Sequence, residues 1–298
     1  MKFCFIGEAM IELANSNAGC QLGFAGDTLN TAIHLARFGH EVAYFTAIGQ
    51  DDYSKDFIEF LKSENIDTSF VYRHPSRHMG LYSIRTDEDG ERSFQYWRDN
   101  SAAKAMFAGA DIGEIAEHLS RFDYVCFSLI SLAILPGHDR TSMIDLFKKL
   151  RSQGVQIVFD GNYRPRLWDS AATAAIARDT AISICDIGLP TFDDEVAISN
   201  FADIGECLNH WQNMGAGEVL IKDGINGCLT NNFQRIAPEK RLHPIDTSGA
   251  GDAFNSGYLN GRANGLPPEE SANIGNKLAG WVIMNRGAIP TKGPNAPY

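Results

Sequence analysis

An α/β fold on a mostly parallel central sheet is the expectation for this sequence, and three observations carry it. Short apolar runs recur along the chain, at Lys2 to Ile11, Val42 to Ile48, Tyr124 to Leu129, Val155 to Phe159, Ile184 to Leu189 and Val219 to Lys222. Segments with helical spacing of apolar residues lie between several of them, which implies parallel strands joined by crossover helices. Polar, glycine-bearing segments follow these runs at Gly7-Glu8, Asp160 to Arg164, Thr191 to Glu195 and Lys222 to Gly227. Open parallel sheets bind ligands beyond those strand ends.

The elements follow in order. Lys2 to Ile11 reads as a buried strand ending near Gly7-Glu8, and Gly19 to Gly26 as a strand and turn. Thr28 to Phe38 carries Leu29, Ala32, Ile33, Leu35 and Ala36 at helical spacing, with Gly39 as the stop. Val42 to Ile48 is the next strand and Asp52 to Leu61 the next helix. The pattern then changes. Gly80 to Arg85 alternates, Asp87-Glu-Asp-Gly-Glu91 reads as a solvated hairpin turn, and Arg92 to Arg98 returns. A hairpin that interrupts α/β alternation should stand off the main sheet as a small β lid. The expectation is one domain over 1–298, with lid strands inserted at about 12–25 and 77–100. Beyond it, Asp139 to Gln153 is a helix stopped by Gly154, a further helix starts after Thr191, Asn226-Gly227 suggests a hairpin, and a last helix spans Pro268 to about Asn285.

Bulk properties narrow the function classes. With 298 residues, 44% hydrophobic and 21% charged, the chain can bury a sizeable core. A formal net charge of −11 disfavours nucleic acid and anionic membranes as partners, so an anionic substrate would need a local cationic pocket. Six cysteines, none in a C-x-x-C pair, read as reduced thiols. No secretory signal is visible, and the longest apolar stretch, Val125 to Pro136, is too short for a bilayer. A cytoplasmic protein is expected.

The stretch with most chemistry in it is Asp246-Thr-Ser-Gly-Ala-Gly-Asp-Ala-Phe-Asn-Ser-Gly-Tyr-Leu259. It reads as a tight glycine turn running into a helix whose apolar face begins at Ala253. The amides of Gly249, Ala250 and Gly251 would be donors at a helix N-terminus, a position that favours anions. A carboxylate there, Asp252, would repel the anion unless it has a task. Taking a proton from an alcohol that attacks a held phosphoryl group is such a task.

The D-T-x-G-A-G-D-x-F-x-x-G pattern resembles the C-terminal signature of the ribokinase-like (PfkB-type) sugar kinases. That resemblance implies a three-layer α/β/α fold with a mostly parallel central sheet and a small β lid, and ATP with Mg²⁺ as cofactors, with dependence on a monovalent cation left open. It makes Asp252 the catalytic base and Gly249, Ala250 and Gly251 the anion hole. Ala25-Gly-Asp-Thr-Leu-Asn-Thr-Ala32, with Gly39 and Gly49 following, resembles the family's N-terminal signature. Asp27 or Thr28 would serve equally as an N-cap there; by the resemblance Gly26, Asp27 and Asn30 line the sugar site. Ala25 replaces the usual first glycine.

The lid carries Tyr82, Tyr96, Trp97 and Arg98. Cross-strand packing accounts for the aromatics, and so does cover for a sugar. Arginine can grip a carboxylate with two parallel hydrogen bonds, so Arg98 points to a sugar acid. The lid, the G-D-T-L-N-T-A loop and N-Y-R-P-R-L-W are similar to those of 2-keto-3-deoxygluconate kinases. There the residues matching Tyr82, Tyr96, Arg98 and Arg164 contact the sugar acid, and Asn162 and Arg164 lie near the phosphates. Thr191 and Asp194 fit a capping box, and also the place of a family Asn-x-x-Glu linked to magnesium. No metal ligand is assigned. Lys222, Gly224 and Gly227 fit a hairpin and equally a nucleotide-binding K-x-G-x-x-G; Asn276 matches an adenine-side position or a helix-surface amide. Ala288 falls where some relatives have a substrate-contacting Asp.

A phosphotransferase acting on the terminal hydroxyl of a sugar acid is therefore expected. A kinase for a neutral ketose such as fructose, and a non-catalytic sugar or nucleotide sensor, are the alternatives. The lid's strand edges suggest a homodimer or higher homo-oligomer.

Overall fold

The computed structural model describes residues 1–16, 19–86 and 92–298. The proposed turn at Asp87–Glu91 lies outside them.

Why the first strand is buried is plain from its alternation. In β1 (Lys2–Ile6), Phe3 and Phe5 face one hydrophobic core while Cys4 and Ile6 face another, and all four are buried. A strand apolar on both faces must lie inside a sheet covered on both sides. The apolar run does not continue to Ile11 as a single strand. It ends at Gly7-Glu8, and the chain enters a second sheet with β2 (Met10–Ser16) and β3 (Gly19–Ala25). Helix α1 (Asp27–Arg37) leads to β4 (Glu41–Ile48), and α2 (Asp52–Ser63) to the short β5 (Ile66–Asp67) and β6 (Val71–Arg73). The second sheet is completed by β7 (Gly80–Thr86) and β8 (Arg92–Trp97).

Alternation then resumes. Helix α3 (Ile112–Leu119) precedes β9 (Tyr124–Ser128), and α4 (Leu129–Ile134) and α5 (Gly137–Ser152) precede β10 (Gln156–Asp160). Next come α6 (Ala171–Ile182), β11 (Ile187–Gly188), α7 (Phe192–Ser199), α8 (Ile204–Asn213) and β12 (Glu218–Lys222). Short strands β13 (Cys228–Thr230) and β14 (Arg235–Ile236) precede α9 (Ala250–Ala263) and α10 (Pro268–Ile283).

Among the described residues the large sheet runs β14-β13-β12-β11-β10-β9-β1-β4-β5, with β6 also beside β4. Its pairs from β12 to β5 are parallel, and β12-β13-β14 turns antiparallel. One core, with Phe45, Phe127, Phe159 and Trp211, packs under α3 to α8; the other, with Phe3, Tyr44, Leu29 and Tyr258, packs under α1, α2, α9 and α10. This is the mixed α/β architecture, mostly parallel, that the sequence leads one to expect.

The smaller sheet runs β3-β2-β7-β8. Residues alternate across it, with two consequences. Ile11, Leu13, Phe24 and Leu81 pack toward the body, where Phe24 meets Phe57 and Phe60 of α2. Met10, Tyr82 and Ile84 form the opposite, inner face with Ala25.

Candidate active site

The polar groups converge at the carboxyl ends of β1, β10 and β12, against the N-termini of α1 and α9. Helix α9 begins at Ala250, at the glycine turn where its N-terminus is expected, and Ala253 and Phe254 open its buried face. Gly249 is its N-cap, with φ 69°, a left-handed conformation that glycine adopts without penalty. A Cβ there would also lie 2.5 Å from the Ala288 methyl. The first i→i−4 bond runs from the Ala253 amide to Gly249 O at 2.8 Å, so the amides of Ala250, Gly251 and Asp252 lie ahead of the helical ladder. Ala250 N–H is turned back to Thr247 O at 3.3 Å, so this one of the three expected donors has a long intraprotein bond.

Asp252 is buried, and its Oδ2 accepts from Asn30 Nδ2 at 2.7 Å. Burial, then the nearby charges of Asp27 and Asp160, push its carboxyl up to about 7; the Asn30 amide and the Lys222 ammonium pull the other way. Asn30 is itself aimed by its Oδ1, which accepts from Gly26 N–H at 3.4 Å. One helical turn earlier, Asp27 opens α1. Burial raises its pKa, with the Ser128 hydroxyl opposing, and its Oδ2 accepts from Asn162 Nδ2 at 3.4 Å. Gly26 has no room for a side chain: a Cβ would meet Glu8 O at 2.3 Å.

A second web adjoins the first. Lys222 Nζ donates to Asp160 Oδ1 at 3.0 Å and to Asn255 Oδ1 at 2.9 Å, and Asn255 Nδ2 donates to Asp160 Oδ2 at 3.0 Å. Lys222 is buried, and a Cβ on Gly251 would sit 3.7 Å from its ammonium. A cavity of about 20 Å³ beneath the site is lined by Asp27, Thr28, Thr31, Asp160 and Asn255 among others.

The remaining expected residues fall on two sides. Tyr82, on the inner face of the small sheet, is close enough to Asp252 to feel its charge; its ring stacks on Tyr96 at 5.8 Å, and its hydroxyl donates to Glu12. Arg98 is not an exposed cation. It is 8% exposed and paired with Glu8. Arg164 is the half-exposed arginine, with Nη1 donating to Tyr163 O at 2.7 Å and lying 3.8 Å from Asp194. On the other side, Gly224 and Gly227 have φ of 51° and 84°, in the loop between β12 and β13. A Cβ on Gly227 would meet Ile236 O at 2.0 Å, and Asn276 Nδ2 donates to the same oxygen at 3.3 Å. Thr191 pairs as a bridge with Lys222.

The capping box does not form. Thr191 is the N-cap of α7 without a side-chain cap bond, and Asp194 Oδ2 instead accepts from Tyr163 N–H at 3.2 Å. The main chain after β10 has drawn that carboxylate away from its own helix end. Glu8 and Asp160 fall in the strand-end segments expected to meet a ligand, but neither they nor Asn255 were assigned a role there. Asn255 had a signal, since it lies three residues after Asp252 and so shares its helix face.

A match to the pfkB family carbohydrate kinase model spans residues 2–294. This chain belongs to the pfkB family of carbohydrate kinases. It is a sugar kinase, and the 2-dehydro-3-deoxygluconokinase of Haemophilus influenzae is 38% identical to it over 302 residues, covering 98% of this chain and 96% of that one. The same fold occurs in a PfkB protein from Polaromonas sp. JS666, with a TM-score of 0.85 at 22% identity, covering 98% of this chain and 97% of that one. A fructokinase with bound ATP from Xylella fastidiosa gives 0.84 at 18% identity, covering 97% and 94%. Among the described residues, no helix of this sugar kinase is long and apolar enough to cross a membrane.

The residues fit a phosphate donor with its magnesium. The αL glycine and leading amides of α9 suit a phosphoryl group. No group of three or more His, Cys, Asp or Glu that could hold an ion forms among the described residues. Asp160 and Asp194 lie close enough for one to feel the other's charge, and one or two carboxylates beside the substrate's own phosphates are what Mg²⁺ commonly takes.

Proposed function

We propose that this kinase transfers the γ-phosphoryl group of ATP to the terminal hydroxyl of 2-keto-3-deoxygluconate, giving the 6-phosphate. One observation carries the chemistry: a buried carboxyl, pushed up to about 7, stands at the head of α9 beside the amides of Gly249 to Gly251. A general base works best with a pKa near the working pH. Asp252 takes the hydroxyl proton, the sugar oxygen forms its bond to phosphorus, and the bond to the β-phosphate oxygen breaks. The amides and Arg164 meet the charge that develops. Magnesium, when bound with the nucleotide, neutralises phosphate charge, with Asp160 and Asp194 as the carboxylates on hand.

The sugar side comprises Gly26, Asp27, Asn30, Tyr82, Tyr96, Arg98 and Arg164. The nucleotide side comprises Asn162, Arg164, Thr191, Lys222, Gly224, Gly227, Gly249, Gly251 and Asn276. The small sheet acts as a lid whose inner aromatics cover the sugar and exclude water. Its exposed Leu22 and Trp97, with the open edges of β3 and β8, favour a homodimer formed through the lids. Light scattering at micromolar concentration tests this, and a monomer contradicts it.

The substrate assignment is supported by the relatives named 2-dehydro-3-deoxygluconokinase. A neutral ketose has one observation in its favour, because Arg98 is already neutralised by Glu8. An ADP-release screen over 2-keto-3-deoxygluconate, its galactonate epimer, gluconate, fructose and ribose separates the two. Highest kcat/KM on 2-keto-3-deoxygluconate is expected; preference for fructose overturns the assignment.

A further inference from the structure

Glu8 has no role in the site as described so far, yet it is placed to control one. It follows β1 of the large sheet, and Arg98 follows β8 of the small one. Their ion pair therefore joins the two sheets, with side chains 1% and 9% exposed. Its position on the small sheet is set by strand alternation. Gly80 pairs with Met10, and Tyr82, two residues on, pairs with Tyr96. Residues two apart share a face, so Gly80 and Arg98 continue the inner-face row of Tyr82 and Tyr96. The contacts agree: a Cβ on Gly80 would lie 2.9 Å from Glu8 Oε1, 3.1 Å from Met10 Cγ and 3.2 Å from Arg98 Cβ. The backbone carbonyl of Glu8 also abuts Gly26, whose amide aims Asn30 at Asp252.

The pair is buried but incompletely satisfied. Among the described residues, Glu8 Oε1 and Arg98 Nε have no hydrogen-bond partner. Buried charged groups are ordinarily paired on every available atom, and an unmade bond at such a place is costly. Arg98 also cannot leave Glu8 without stranding a buried carboxylate, so the contact is a fixed anchor rather than a transient one.

We propose that Glu8 is a positioning residue of the sugar site: its carboxylate fixes the Arg98 guanidinium at the base of the small sheet's inner face, orienting it toward a polyhydroxylated acid. This rests on the sugar-kinase reading and deepens it. A long arginine side chain that is already immobilised loses little further freedom when it binds, which is how an anchor becomes affinity.

The test is steady-state kinetics of the full-length protein on whichever sugar the wild type phosphorylates best, so that a wrong substrate assignment and a wrong role for Glu8 are separate outcomes. In Glu8→Ala, KM for the sugar should rise about tenfold or more, as expected when one partner of a buried charge pair is removed. KM for ATP should stay within about twofold. Glu8→Gln, which keeps an acceptor for the guanidinium, should recover most of the loss. If Glu8→Ala does not fold, Gly80→Ala disturbs the same pair without changing a charge, and the same one-sided rise is expected. An unchanged sugar KM, or an equal rise for sugar and ATP, overturns the proposal.

Discussion

Asp252 and Glu195 make an instructive pair. Both are buried carboxyls pushed up to about 7, and in both burial is the largest cause. Their other surroundings differ. Glu195, on α7, is held by Arg178 Nη1 at 2.7 Å, and Arg178 is 1% exposed and also bonds Ser199, Asp179 and His210. Around Asp252 the next causes are like charges, Asp27 and Asp160, with an amide and a lysine opposing them. The first carboxyl is locked into an ion-pair cluster between α6, α7 and α8. The second stands where its proton affinity can be used, at a helix head beside glycine amides. A shifted pKa alone does not identify a catalytic group; the neighbours that share its burial do.

The largest expected effect separates the two directly. Asp252→Asn should lower kcat by roughly 10²–10⁴-fold while the sugar KM changes little. It should also stabilise the protein. The native pKa near 7 exceeds the unfolded value near 4, so the folded state holds this proton to higher pH than the unfolded chain does. The associated stability is complete below about pH 4 and is lost as pH rises through 7. The gain in Tm from Asp252→Asn should therefore be absent near pH 4, grow as pH rises from there and be complete by about pH 7 in thermal melts. A variant that loses turnover and also melts lower at pH 8 would break the contrast.

Arg178→Met should do the reverse. Breaking a buried pair from one side costs about 3 kcal/mol or more, for a fall in Tm of ~6 °C by calorimetry. Turnover per folded molecule should stay within about twofold. A smaller effect is expected for Gly249→Ala. It places a Cβ in an αL conformation and against Ala288, with a strain of roughly 1–2 kcal/mol at the proposed anion hole. In stopped-flow or steady-state assays kcat should fall about tenfold. The smallest effects sharpen the electrostatics. Lys222→Met should move the acid limb of the pH–rate profile to higher pH, and Asp27→Asn should move it to lower pH, because the first removes a charge that lowers the Asp252 pKa and the second one that raises it.

Much of this molecule is legible in its residues, for physical reasons that differ by region. The turn into α9 is readable because the glycines have specific work: Gly249 adopts φ 69° and packs on Ala288. The long strands are readable because they are apolar on both faces. The two-residue β5 and β14 are not, since their partners rather than their own composition define them, whereas β11 lies inside the apolar run Ile184 to Leu189 that reads as a strand. Asn30 and Asp252 are 222 positions apart, and only the packing of α1 on α9 brings them to 2.7 Å. The same limit explains Arg98. Its place on the small sheet could be read from alternation, but its partner Glu8 lies 90 positions away at the end of another strand. Arg164, by contrast, is half-exposed and lies 3.8 Å from Asp194.

The central claim is that a carboxyl with its pKa raised to about 7 is the base of this kinase. It is tested most directly by the pH dependence of kcat/KM for ADP release with the preferred sugar. Below about pH 7 the rate should fall tenfold per pH unit, following a single group in the free enzyme. A profile that stays flat down to pH 5 would contradict it.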